Sequence, residues 1–335
     1  MLINRDFLYY NDNYVKSCEK GAVHMIVTVT LNPAVDKVAR LDAIREYEIN
    51  RLSKVESDAG GKGINVSRTI KALHSVSIAT GFLGGSGGNF IDCLLQREEI
   101  ESHMIQIIGN TRNNLKIVDA DNRMTEFNEE GPFILQSEQD ELFDYLRGCL
   151  DGECILILSG SMPKGMSRST YSRLIEMAKE NGSVVILDTT YRHLADSIEA
   201  KPAIVKASPD ELRQLYHIDH ELSEAELIQC GKRMIEDYDL QMGITLVHQQ
   251  CAYVFTASNV FKTEFPDVDV KTSVGAGDAF VAGFAVGMEQ NADIHEVIQL
   301  ASGCYTAAML SKNAHPTDIH TIKEWAGRAE IIELK

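Results

Sequence analysis

From Met25 onward the chain alternates between two hydrophobic rhythms. Runs of Val, Ile and Leu with little polar interruption, such as "MIVTVTL" (25–31) and "CILILS" (154–159), predict strands buried on both faces. Further strands are expected at 76–82, 183–188, 203–206 and 243–248. Between them, apolar residues recur at helical spacing over 62–74, 87–99, 137–150, 168–181, 208–216 and 223–238. Two more helices are expected at 276–290 and 293–312. Strand and helix in turn describe an α/β fold around a mostly parallel sheet covered on both faces.

Two segments break that rhythm. Residues 36–58 and 112–127 alternate polar and apolar positions, as exposed antiparallel strands do, and "DADNR" (119–123) is a good hairpin turn. They are expected to form a small second sheet against the main layer. Its apolar face needs cover, which a lid over a site that also pairs with another subunit would supply. Residues 1–24 carry no signal-peptide pattern and precede a clean strand. They are expected to be an extension the native chain lacks, with Met25 as its start and 25–335 as one domain.

Composition narrows the function. At 335 residues and 44% hydrophobic, the chain can bury a large core, and no apolar run reaches the roughly 18 residues that span a bilayer. Seven scattered cysteines without a CxxC pair suit a reducing, cytoplasmic setting. A formal charge of −17 argues against sequence-independent nucleic-acid binding. It also sets a condition: an anionic ligand binds only where local cations and backbone amides outweigh the global field.

Four glycine-bearing loops follow strands: "DAGGKGINVSR" (58–68), "TGFLGGSGG" (80–88), "SGSMPKG" (159–165) and "TSVGAGD" (272–278). In open α/β sheets, ligands collect beyond the carboxyl ends of the strands, so the four together predict a phosphate-handling site. The dinucleotide fingerprint fails, because "GKGINV" and "GAGDAF" lack the third glycine, and no GxxxxGK[ST] occurs. Gly275, Ala276 and Gly277 are small enough for close backbone approach, and the helix they open aims its first amides at an anion. Asp278 stabilises that helix start in any case. Beside amides that hold a transferring phosphoryl group, it is also placed to take a proton from an attacking hydroxyl.

The ordered set "TLNPAVDK", "AGGKGINVSR", "TGFLGG", "TRNNLKI", "SGSMPKG", "LDTT" and "TSVGAGDAFVAGF" resembles the PfkB (ribokinase-like) carbohydrate kinases. Within them it is most similar to the 1-phosphofructokinase and tagatose-6-phosphate kinase branch. The resemblance implies a three-layer α/β/α sandwich with a small β-lid, homodimerisation through that lid, and use of ATP with Mg2+. It implies that Asp278 is the base and that the amides of Gly275, Ala276 and Gly277 form an anion hole. Asp36, Gly61, Lys62, Asn65, Arg112 and Ser161 would line the sugar-phosphate site. Lys206, Ser208, Thr245, His248, Gly275 and Gly277 would face the nucleotide, with Glu211 toward the metal. Lys62 and Arg112 meet the local-cation condition.

The departures from the family pattern fall on its nucleotide side. "KASPDEL" puts Ser208 where an asparagine is usual, and "TLVHQQCAYVF" (245–255) lacks both glycines of the usual Ser-x-Gly-x-x-Gly loop. In "LDTTYRHL", Tyr191 and Arg192 replace small residues. All three are read as an altered nucleotide grip. The leading expectation is phosphorylation of fructose 1-phosphate or tagatose 6-phosphate to the bisphosphate. The rivals are a kinase of an unphosphorylated sugar or nucleoside, and a non-catalytic sugar-phosphate sensor.

Overall fold

A computed structural model describes residues 25–52, 54–121, 123–150 and 154–334; the expectation for 1–24 lies outside them. The first sheet contains seven parallel strands. They are β1 (Met25–Thr30), β4 (Ser77–Leu83), β5 (Glu101–Gln106), β8 (Cys154–Ser159), β9 (Val184–Asp188), β10 (Ile204–Lys206) and β11 (Met242–Val247). Antiparallel strands β12 (Cys251–Thr256), β13 (Val260–Glu264) and β14 (Ile331–Leu334) extend it beyond β11. The spatial order is β14-β13-β12-β11-β10-β9-β8-β1-β4-β5. The chain therefore leaves β1 in one direction and later returns to its other side, which makes the β1/β8 boundary the topological switch point where such sheets bind ligands.

Helices cover both faces. α3 (Gln136–Cys149), α4 (Thr170–Glu180), α5 (Tyr191–Ser197), α6 (Pro209–Leu215) and α7 (Glu224–Tyr238) lie on one side. On the other lie α1 (Lys62–Ala72), α8 (Ala276–Glu289), α9 (Ile294–Leu310) and α10 (Ile319–Ala326). α2 (Gly85–Arg97) packs beside α1 over β4. Strand alternation sorts the side chains: Ile155 and Ile157 face the second layer, Leu156 and Leu158 the first. α8 is apolar around its whole circumference, as a helix buried on every side must be. It lies so close to α9 that a Cβ at Gly283 would sit 2.8 Å from the Ala301 Cα.

The second sheet has order β3-β2-β6-β7, from β2 (Ala34–Arg40), β3 (Val55–Gly60), β6 (Arg112–Val118) and β7 (Met124–Asn128). Both expected segments contribute, but the pairing is mixed: β2/β3 and β6/β7 are antiparallel, while β2/β6 is parallel. The chain passes through β4, α2 and β5 before adding β6, and a crossover of that length permits parallel pairing. The hairpin turn at 119–121 is capped as the sequence suggests, with Asp119 accepting from the amides of Asp121 and Arg123. Among the described residues, no helix is long and apolar enough to cross a membrane.

Four features escaped the hydrophobic pattern: the polar edge strand "ESHMIQ", the short helix α5, helix α10, and the antiparallel extension β12–β14. The edge strand, α5 and β14 are too polar or too short to carry a period of their own, whereas β12 is a buried apolar run and α10 an amphipathic one that the pattern passed over.

Candidate active site

α8 opens at the carboxyl ends of the parallel strands. Gly275, its N-cap, has φ 80°, and a Cβ there would fall 1.8 Å from the Ala314 carbonyl oxygen. Only glycine fits. The Ala279 amide makes the first intrahelical bond, to Gly275 O at 2.8 Å, so the amides just before it are left for an outside acceptor.

Asp278 lies in this first turn and is buried. Its Oδ2 accepts from Asn65 Nδ2 at 2.9 Å, and the Asn65 Oδ1 is buried with no partner. Burial raises the Asp278 carboxyl to about 6 against the opposing pull of Lys62, with Asp188 adding to the rise. The carboxylate is therefore ionised near neutrality yet basic enough to accept a proton.

Beside it stands an ion triad. Asp188, at the end of β9, accepts on Oδ1 from Lys62 Nζ and Lys206 Nζ, each at 2.8 Å. Burial works to raise Asp188, but Lys206 and Lys62 prevail and hold it at about 2. Burial likewise works to lower Lys62, and Asp188, then Asp278, reverse it and push its ammonium up. Two cations share one carboxylate, so the triad by itself carries one positive charge, which the ionised Asp278 beside it offsets. Asp188 Oδ2 is buried without a partner.

Of the expected sugar-side residues, Lys62 and Asn65 belong to this centre, and the others are held by partners of their own. Gly61, with φ 134°, caps α1, and its carbonyl accepts from the Asn65 amide. Asp36 is held in the lid, where Asn114 donates to Oδ1 at 2.8 Å and Lys116 bridges to Oδ2 at 3.0 Å. Ser161 follows β8 on a turn fixed by Tyr171, which donates to Ser159 O and Gly160 O, and its Oγ accepts from Asn32. Arg112, at the start of β6, donates to Asn32 O and Glu129 O, and its partial burial lowers its pKa. The resemblance assigned no roles to Asp188, Asn32 or Lys116, although all three lie within its quoted motifs. The strand-ending "LDTT" was the available signal for Asp188.

The nucleotide-side residues are less unified. Lys206 joins the triad. Ser208 caps α6 in a reciprocal box: Glu211 N donates to Ser208 Oγ, and Ser208 N and Oγ both donate to Glu211 Oε2. Glu211 lies near enough to raise Lys62. Thr245 is fully buried, and alternation puts its side chain on the face opposite Ile244 and Leu246, away from Gly277. His248 is exposed in the β11–β12 turn. Arg192 was expected to bear on the nucleotide, yet it lines a cavity with Arg112 and Ser161. It follows β9 into α5, beyond the strand ends that Arg112 overhangs from the lid.

A buried carboxylate at a helix mouth, beside one lysine from a helix start and one from a strand end, is a site that can hold an anion and move a proton. The chain is 33% identical to 1-phosphofructokinase of Bacillus subtilis over 285 residues, 84% of this chain and 92% of the relative. It is 30% identical to tagatose-6-phosphate kinase of Staphylococcus epidermidis over 314 residues, 92% of this chain and all of the relative. Its fold matches that of Escherichia coli phosphofructokinase-2 in complex with fructose-6-phosphate, with TM-score 0.84 at 22% identity, covering 91% of this chain and 99% of that one. The model of the pfkB family of carbohydrate kinases matches residues 29–321, and the chain belongs to that family. It is a sugar kinase of the phosphofructokinase type, transferring phosphate to an alcohol.

Proposed function

We propose that residues 25–335 form one kinase unit that phosphorylates fructose 1-phosphate or tagatose 6-phosphate from ATP. The observation that carries this reading is Asp278: a buried carboxylate, raised to about 6, in the first turn of α8. It takes the proton of the acceptor hydroxyl as that oxygen forms its bond to the γ-phosphorus. The bond from phosphorus to the bridging oxygen breaks, and ADP leaves with the electron pair. The amides of Gly275 and Gly277, joined by that of Asp278, act with Lys62 and Lys206 to stabilise the charge that develops; the Ala276 amide, also expected there, donates to Ser273 O at 3.4 Å. Asn65 orients Asp278, and its unpartnered Oδ1 is available to a sugar hydroxyl. Asp36 with its lid partners and Ser161 hold further hydroxyls, and Arg112 supplies a cation for the acceptor's phosphate.

The residues present also fit Mg2+. The unpartnered Asp188 Oδ2 and the Glu211 carboxylate offer hard oxygens near the triad. Among the described residues no cluster of three or more acidic, His or Cys ligands exists, which suits an ion that keeps waters and substrate phosphates as ligands. When bound, it would neutralise charge on the nucleotide phosphates. Exposed Val55, Met124 and Phe127 on the lid strands support pairing of two chains through the lid.

Coupled ADP release with a panel of sugar phosphates tests the reading. Turnover on a ketohexose monophosphate should fall about 100-fold or more in Asp278→Asn, with calorimetric binding of the sugar phosphate retained. Tight phosphosugar binding without turnover in the wild type would favour the sensor.

A further inference from the structure

Beyond the ends of β1, β8 and β9 lies a cavity of about 550 Å³ whose polar lining is Asn32, Arg112, Ser161, Arg168, Arg192 and His193, together with Glu130 and Lys164. Its charges do not cancel. Glu130 is paired with Lys164, and Arg168 reaches Asp196 only at 4.0 Å. The hydrogen bonds of Arg112 go to the neutral carbonyls of Asn32 and Glu129. Arg192 is exposed and makes no ion pair among the described residues. The ring of His193 lies beneath, with its Nδ1 buried and unpartnered. Burial holds this imidazole below its ordinary value; Asp196 opposes that, while Arg192 and Arg168 reinforce it. In a chain of net charge −17, a cavity with unmatched guanidinium groups is a built attraction for an anion. Guanidinium forks bind phosphate oxygens two at a time.

We propose that Arg192, assisted by Arg168, determines specificity at the phosphate-bearing end of the acceptor. Arg112 would close over that phosphate from the lid, and Arg192 would face it from the α5 side. The chain would thereby select a phosphomonoester dianion over a neutral sugar. This rests on the sugar-phosphate kinase reading and deepens it. It also separates Arg192 from the nucleotide: the substitution in "LDTTYRHL" alters the acceptor end.

The test uses the full chain and the variants Arg192→Glu, Arg192→Lys and Arg168→Ala, with thermal melting to show that each folds. For fructose 1-phosphate or tagatose 6-phosphate, Arg192→Glu should raise KM by about tenfold or more. The kcat and the KM for ATP should stay within about twofold, and Arg192→Lys should recover part of the loss. Arg168→Ala should show the smaller change in the same direction. An unchanged acceptor KM in Arg192→Glu, or a change confined to ATP, overturns the proposal. If the wild type binds a phosphosugar without turning it over, the kinase reading fails alone, and calorimetry of fructose 1-phosphate then decides: weakening in Arg192→Glu supports the role of Arg192, unchanged affinity overturns it. A wild type that binds no phosphosugar overturns both.

Discussion

The charged centre around Asp188 and Asp278 and the β11–β12 turn solve opposite problems within one sheet edge. At the centre, buried charged groups are fixed by one another: Asp278 by Asn65, and Asp188 by two lysines. At the turn, exposed polar side chains sit on a backbone that holds itself. Gln250 N bonds Val247 O, Gln249 N bonds Tyr305 Oη, and Phe265 N bonds Gln250 O at 2.7 Å. Gln249 takes φ 55° without being glycine. The lesson is that side-chain identity is constrained where charge must leave water and is free to drift where backbone bonds already secure the shape. The rewritten sequence of the turn is therefore compatible with a preserved hairpin, whereas few changes are tolerable in the triad.

The sharpest way to break this contrast is Asp188→Asn, which leaves two partly buried lysines without their shared anion. A loss of about 3–5 kcal/mol in urea unfolding is expected; a loss under 1 kcal/mol, roughly the value of an exposed pair, would show the triad to be solvated. The pH dependence of stability follows the same groups. The contribution of Asp188 is complete above its ordinary value of 3.8 and is lost as pH falls toward about 2. Asp278, raised to about 6, acts in the opposite sense, costing stability as pH rises from 3.8 through 6.

The next effect is kinetic. In the proposed role of general base, Asp278 must be ionised, so kcat/KM should fall on the acid side with a midpoint near pH 6. Asn65→Ala removes a donor to the charged form, and the midpoint should move upward; a midpoint that stays in place would separate Asn65 from the base. Smaller changes are expected across the sheet edge. Ser208→Ala removes the cap of α6 and should cost about 1 kcal/mol, with the KM for ATP measured alongside. Gln249→Gly should change stability by no more than about 0.5 kcal/mol, since relief of the left-handed strain offsets the added freedom of the unfolded chain. A large loss there would place the turn in the same class as the centre.

Much of this was legible in the chain. The buried strand runs and the amphipathic helices fell within a few residues of their observed bounds, because their periods arise from one-sided or two-sided burial. The glycine of "VGAGD" announced a helix mouth, and the structure shows why no other residue fits. The lid segments were legible as a second sheet, but the parallel β2/β6 pairing was not, since alternation reports which face is buried and not the direction of the neighbour. Asp188 was passed over because an aspartate ending a buried strand looks the same whether it meets solvent or two lysines.

By itself, then, the sequence determined the α/β class, the family, the helix mouth with its carboxylate, and the cations proposed to hold an anion in an acidic chain. These depend on local period, on residue size and on formal charge, all of which are properties of neighbours along the chain. Only the tertiary structure decided that Lys62, Asp188 and Lys206, from α1, β9 and β10, converge on one carboxylate oxygen. It alone placed Arg192 in the cavity it shares with Arg112. Such placements follow from strand order and crossover, which bring distant segments together at distances that set the energy of a charge.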